Sequence, residues 1–189
     1  RRRLHGLTYD PMTEVVVFSG ATEGIRSTLL GLLEPGDEVL LVEPFYDSYP
    51  VITTLGGGTV RHYTLRAPDF RIERERFEAA LTPRTRFVLL NTPHNPTGRA
   101  FTHEELSIVA NACISRGIIA ITDEVYEHLT YDGKPHLALA ALVPRLVDRG
   151  VVSPVLRLAQ RLAVEVGLGA GEVAVGAGEV AQERVRLGL

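Results

Sequence analysis

Two amides, a carboxylate and a phenol stand just past two apolar runs of this chain. Asn91 and Asn95 belong to Asn91-Thr-Pro-His-Asn-Pro-Thr-Gly98, which follows Phe87-Val-Leu-Leu90. Asp123 and Tyr126 belong to Thr122-Asp-Glu-Val-Tyr126, which follows Ile118-Ile-Ala-Ile121. Pro93 and Pro96 flank the second amide and hold its loop. Further upstream, Gly20-Ala-Thr22 stands where a strand passes into a helix. A helix N-terminus offers unpaired backbone N–H groups and a partial positive charge, which suits a phosphate, and glycine lets the backbone come close to it. Taken singly, each residue also has a plainer role. Thr22 can start a helix, Asp123 can cap a strand, Tyr126 can fill a core, and Asn-Pro is a common turn.

The apolar runs must be buried strands if these side chains are to meet. The segment from Thr102 to Arg116 reads as a helix between the last two strands, giving a βαβ unit with parallel strands. Ligands on such sheets lie beyond the carboxyl ends of the strands, so the four polar residues are expected in one crevice. Strands are expected near 14–18, 39–42, 60–65, 87–90 and 118–122. Helices are expected from Gly20 to about Leu33, from Asp47 to Leu55 with Pro50 in the first turn, and from Glu73 to Leu81. Continuous apolar strands alternating with helices predict a three-layer α/β/α fold with a mainly parallel sheet.

The chain has 189 residues, 45% of them apolar, and a net charge of −3. That is ordinary for a globular protein. No basic stripe points to nucleic acid and no apolar run of about 18 residues points to a membrane span. Cys113 is the lone cysteine and sits in the expected 102–116 helix, where it reads as buried filler. No secretory signal is read at Arg1, and a cytoplasmic protein is expected. There is no Gly-x-Gly-x-x-Gly after the first strand and no Gly-Lys-[Ser/Thr] loop, which argues against a nucleotide-binding module. No metal ligands are assigned from the sequence.

The full Asn-x-Pro-x-Asn-Pro-Thr-Gly string with Asp123-Glu-Val-Tyr126 resembles the class I/II aminotransferases of the aspartate-aminotransferase superfamily, the fold type I enzymes that use pyridoxal 5'-phosphate (PLP). The string Glu43-Pro-Phe-Tyr-Asp-Ser-Tyr49 is most similar to the kynurenine, methionine and succinyldiaminopimelate aminotransferase branch, and argues against an aspartate-specific enzyme. The resemblance implies that Gly20, Ala21 and Thr22 bind the cofactor phosphate, mainly through backbone N–H groups. It implies that Tyr46 stacks on the pyridine ring and that Asp123 pairs with the protonated ring nitrogen. Tyr126 and Asn95 would reach the ring oxygen, and Asn91 and Asn95 would lie near the substrate carboxylate. His94 reads as a solvated loop residue. The activity implied is transfer of an amino group from an amino acid to a 2-oxo acid in a homodimeric parent enzyme. A non-catalytic PLP-binding homologue and a carbon–sulfur lyase of the same fold are the alternatives.

The resemblance runs from about Arg1 to Val152, read as an incomplete PLP-transferase large domain, with residues 153–189 a separate low-complexity tail. In the family a Schiff-base lysine follows the aspartate in a Ser-x-x-Lys-Thr-Phe-Ser segment. The equivalent region here, Ser153 to Ala163, has no lysine. Lys134, the only lysine in the chain, falls in a polar turn and reads as a solvated loop residue. No catalytic residue is therefore assigned, and the chain alone is expected to be inactive. The family arginine for the substrate carboxylate, and an arm ahead of Arg1, also have no counterpart. The tail is poor in aromatic and Asp residues and rich in Arg, Ala, Gly, Val and Leu. That is what out-of-frame reading of DNA rich in G and C gives. A helix is expected from Pro154 to Val166 and little stable structure after Gly167.

Overall fold

In the computed structural model, residues 5–12, 14–146 and 164–166 are described. The elements are α1 (Ala21–Leu32), β1 (Glu38–Glu43), α2 (Ser48–Leu55), β2 (Thr59–Thr64), α3 (Arg74–Ala80), β3 (Thr85–Asn91), α4 (His103–Arg116), β4 (Ile119–Asp123), α5 (Leu139–Leu146) and β5 (Val164–Val166). The strands pair in the order β2-β1-β3-β4-β5, each pair parallel. Each parallel pair needs a crossover to return the chain to the same end of the sheet, and the helices supply it.

Successive strand side chains point to opposite faces, and here both faces are covered. Leu40, Val42, Val88, Leu90 and Ala120 face one side, where Phe77 of α3, Leu106 and Val109 of α4, and Leu139 and Leu142 of α5 pack on them. Val39, Leu41, Phe87, Leu89, Ile119 and Ile121 face the other, against Ile25 and Leu29 of α1 and Tyr49 and Ile52 of α2. This is why the strands read as unbroken apolar runs rather than alternating ones. Each such side chain contributes about 1.5–3 kcal/mol on full burial. The expected three-layer α/β/α architecture is the observed one. Cys113 is buried as filler in α4, and burial pushes its thiol up to about 12.

The helix ends show why the chain breaks where it does. Gly20 caps α1 with φ 94 and ψ 164, a backbone region that only glycine adopts readily. A Cβ there would meet nothing within 4 Å, so the backbone angle, not space, demands glycine. At α4, Thr102 and Glu105 form a reciprocal capping box, and Gly117 ends the helix at φ 66.

Two expectations differ from the structure. Glu14 to Phe18 forms no strand; Val16 is 46% and Val17 63% exposed. An apolar run supplies a tendency to be buried, but a strand also needs a sheet edge to pair with. None of the described strands pairs with this segment. The helix expected over 154–166 lies mostly outside the described residues, but its last three residues are β5, paired with Ile121–Asp123. The remainder of the low-complexity tail also lies outside the described residues. Among the described residues, no helix is long and apolar enough to cross a membrane.

Candidate active site

The register of β3 and β4 aligns Asn91 with Asp123 at their carboxyl ends. The N-terminus of α1 and the turn leading into α2 close the same end. Between them lies a crevice of about 170 Å³, lined by Ala21, Thr22, Tyr46, Asn91, Asn95, Asp123 and Tyr126, with Tyr49 and Val125 completing the wall. Seven of the eight residues singled out in the sequence thus meet in one place. Gly20 does not line the crevice; it sets the backbone turn that aims α1 at it.

Asp123 is the buried charge of this wall, 6% exposed. Its Oδ2 accepts from the Tyr49 hydroxyl at 2.6 Å and its Oδ1 from the Val125 N–H at 3.2 Å. Burial raises its carboxyl above the usual carboxylate range, and the two donors oppose that shift only in part. A carboxylate held in this way is stabilised by a cationic partner. Tyr49 was not singled out from the sequence. Burial, followed by the Asp123 charge it faces, pushes its phenol far up, so it stays a hydrogen-bond donor. One signal was available: Tyr46 and Tyr49 are three residues apart at a helix start, hence on one face. Their rings meet edge to face at 5.8 Å. Tyr46 is the outer of the two, 45% exposed, with its ring open for stacking.

Asn91 spends its amide on positioning. Its Nδ2 donates to the Asp123 carbonyl at 2.9 Å, and its Oδ1 accepts from the Asn95 backbone N–H at 2.6 Å. One side chain thereby ties β4 to the loop that presents Asn95. The same loop contains cis peptide bonds at Thr92–Pro93 and Asn95–Pro96.

His94 is a correction. It was expected in solvent, but it is 2% exposed. Its Nδ1 lies 2.8 Å from the Thr97 hydroxyl. Burial pushes its imidazole down to about 4, so it is neutral and braces the loop from behind. The chain between Pro93 and Gly98 folds back on itself, with His94 N–H donating to the Arg99 carbonyl and Gly98 N–H to that of His94, each at 2.7 Å. A tight polar turn therefore buries a residue that composition places outside. Lys134 is exposed in a turn closed by its N–H to the Tyr131 carbonyl at 3.1 Å, and it does not line the crevice.

This donor set fits PLP. Helix N–H groups would suit a dianionic phosphate, a buried carboxylate would suit a ring N–H⁺, a phenol and an amide would suit a ring oxygen, and an exposed aromatic face would suit stacking. The comparisons with known proteins identify the family. The family model for aminotransferase class I and II matches residues 2–157. A probable N-succinyldiaminopimelate aminotransferase of Mycobacterium tuberculosis is 48% identical over 143 residues, covering 74% of this chain and 36% of that protein. An aspartate aminotransferase of Geobacillus stearothermophilus is 39% identical over 151 residues, 79% of this chain and 38% of that one. The structure of N-succinyldiaminopimelate aminotransferase from M. tuberculosis superimposes with a TM-score of 0.79 at 36% identity, over 93% of this chain and 46% of that chain. The Escherichia coli YbdL structure, described as having a methionine aminotransferase function, gives 0.74 at 35% identity, over 88% of this chain and 40% of that chain. The chain spans less than two-fifths of the length of these curated relatives. Fold and family match agree: the chain belongs to the class I and II aminotransferases, a family whose members use pyridoxal phosphate.

Proposed function

We propose that this chain is the PLP-binding part of an aminotransferase that moves an amino group from an amino acid to a 2-oxo acid. The observation that supports it most is the buried Asp123 carboxylate sharing one crevice with the α1 N-terminus. When bound, PLP supplies an electron sink for the bond broken at the substrate α-carbon. Asp123 holds the ring nitrogen protonated, and Tyr49 fixes which way its carboxylate points. The Ala21 and Thr22 backbone N–H groups and the α1 dipole hold the phosphate. Tyr126 and Asn95 orient the ring through its oxygen, and Tyr46 covers its face. Asn91 keeps Asn95 and β4 in step, and with Asn95 it borders the substrate carboxylate. The reading includes a homodimeric parent and a cytoplasmic location. It also includes a chain that binds the cofactor without turning over, because Lys134, the one lysine, is exposed on a turn away from the crevice.

PLP titration followed by absorbance tests this reading. Binding to the 189-residue chain should be reversible on dialysis, and borohydride should fix no PLP at the crevice. Asp123→Asn should weaken binding about ten- to a hundredfold, the range expected for one charge-assisted hydrogen bond. Stability should move the other way. The fold favours the protonated form of Asp123, so the stability this residue contributes is present at low pH and lost as pH rises through its raised pKa. Above that point the neutral asparagine variant should melt no lower than the parent chain. Equal PLP affinity in the two chains would rule out the role given to Asp123.

A further inference from the structure

Behind the crevice wall, on residues that the PLP site does not use, two histidines and two glutamates converge. His5 comes from the N-terminal segment, Glu124 and Glu127 from the turn after β4, and His136 from the stretch before α5. Their nearest ligand atoms all lie within 4.8 Å of one another. His5 Nε2 is 3.0 Å from Glu127 Oε2, and His136 Nε2 is 3.3 Å from Glu124 Oε2. The side chains of His5, Glu127, His136 and Glu124 are 6%, 8%, 4% and 0% exposed. The two imidazole rings meet edge to face at 5.5 Å.

The orphan is His136. Its Nε2 is buried and makes no hydrogen bond among the described residues, although the Glu124 carboxylate is near. A buried ring nitrogen without a hydrogen bond costs free energy. One divalent cation at the centre would satisfy it, taking the imidazole lone pairs together with one oxygen of each glutamate, whose ligand atoms already lie within 4.8 Å of one another. With Zn–N and Zn–O bonds near 2.0–2.2 Å, the edges of a tetrahedral zinc site are about 3.3 Å long. The 3.0 and 3.3 Å separations are already close to two such edges. The remaining separations, all within 4.8 Å, are the ones binding would shorten.

We propose that His5, Glu124, Glu127 and His136 form a four-ligand divalent-cation site of the zinc type. Two imidazoles and two carboxylates without thiolate suit Zn²⁺ rather than Mg²⁺ or Ca²⁺, which take oxygen ligands at higher coordination number. All four positions are filled by protein, so the site is structural rather than catalytic. It clamps the N-terminal segment and the pre-α5 stretch onto the turn directly after Asp123.

The test uses the full chain, stripped with a chelator and titrated with Zn²⁺ against a chromophoric competitor, with Co²⁺ as a spectroscopic substitute. One equivalent of Zn²⁺ should bind, raising the melting temperature by mass action, and Co²⁺ should give the intense visible bands of a four-coordinate site. His136→Ala should weaken Zn²⁺ binding by more than the ~10–100-fold typical of losing an outer-shell partner. Glu127→Gln, nearly isosteric and so compatible with the fold, should weaken it at least about tenfold and decides the matter if His136→Ala does not fold. His62→Ala, which removes an exposed histidine paired with Glu43 at 2.8 Å, should leave the stoichiometry unchanged. Zn²⁺ binding that is absent, equal in the Glu127→Gln chain, or accompanied by a six-coordinate Co²⁺ spectrum overturns the proposal. The cluster would then be two His–Glu ion pairs.

Discussion

Supplied with PLP, an amino acid and a 2-oxo acid, the 189-residue chain should transaminate no faster than free PLP. The reaction moves a proton between the substrate α-carbon and the cofactor, and a positioned base for such a step is worth about 10²–10⁴-fold. Among the residues lining the crevice, none suits that task. Asp123 is engaged by Tyr49 at 2.6 Å, and the Tyr49 phenol is held protonated. Asn91, Asn95 and Thr22 have no basic group, and Lys134 is exposed on its turn. Groups that act as a unit are not replaced one at a time. A coupled assay over a broad panel of amino acids and 2-oxo acids, with Asp123→Ala as control, measures this. Turnover above free PLP that disappears in the control would overturn it, and would mean that Lys134 or another chain supplies the amine.

A stability effect of comparable size is expected at Glu105, far from any reacting atom. Its side chain is 2% exposed and accepts four hydrogen bonds from three groups. Arg99 Nη2 donates to both carboxylate oxygens, at 2.9 and 2.7 Å, Ile72 N–H donates at 3.0 Å and Thr102 N–H at 2.9 Å. Glu105 thus starts α4, holds the strand-to-helix connection at Ile72, and anchors the far end of the Asn95 loop through Arg99. Glu105→Ala leaves a partly buried guanidinium and two N–H groups without their acceptor. Breaking a buried pair from one side costs about 3–5 kcal/mol, or roughly 6–20 °C in melting temperature for a chain of this size. Glu78→Ala is the contrast. It removes an exposed i,i+4 pair with Arg74, worth about 0.3–0.5 kcal/mol. Urea melts of the two variants decide it, and equal losses would show that the network contributes no more than a surface pair. Glu105→Ala should also weaken PLP binding, since the loop bearing Asn95 loses its tether.

The three central strands were legible because burial on both faces leaves an unmistakable pattern. Val39 to Val42, Phe87 to Leu90 and Ile118 to Ile121 have no polar residue to place in water, and the structure turns each into a strand within a residue or two of its expected ends. The bounds of α4 were equally plain, because Thr102, Glu105 and Gly117 satisfy the backbone groups that a helix leaves open at its ends. The meeting of Asn91 and Asp123 was readable for a related reason. Each is the last residue of a parallel strand, and parallel strands deliver their carboxyl ends to one side.

Tertiary structure decided whatever depends on a partner distant in sequence. Val15 to Val17 are as apolar as β1, yet they pair with no described strand, because a strand is a relation between two segments and not a property of one. Tyr46 and Tyr49 are equivalent as letters. Only the packing of α2 on the sheet sends Tyr49 to Asp123 and leaves Tyr46 outside. His94 looked like a loop residue in solvent until the Pro93–Gly98 turn buried it. His5 and His136 stand at opposite ends of the described fold in sequence and meet only because β4 carries Glu124 and Glu127 between them. Local pattern records which side chains avoid water and where backbone groups need caps. Convergence of side chains from distant segments is settled by the order of the strands and the faces the helices cover, and no short window of sequence contains that information.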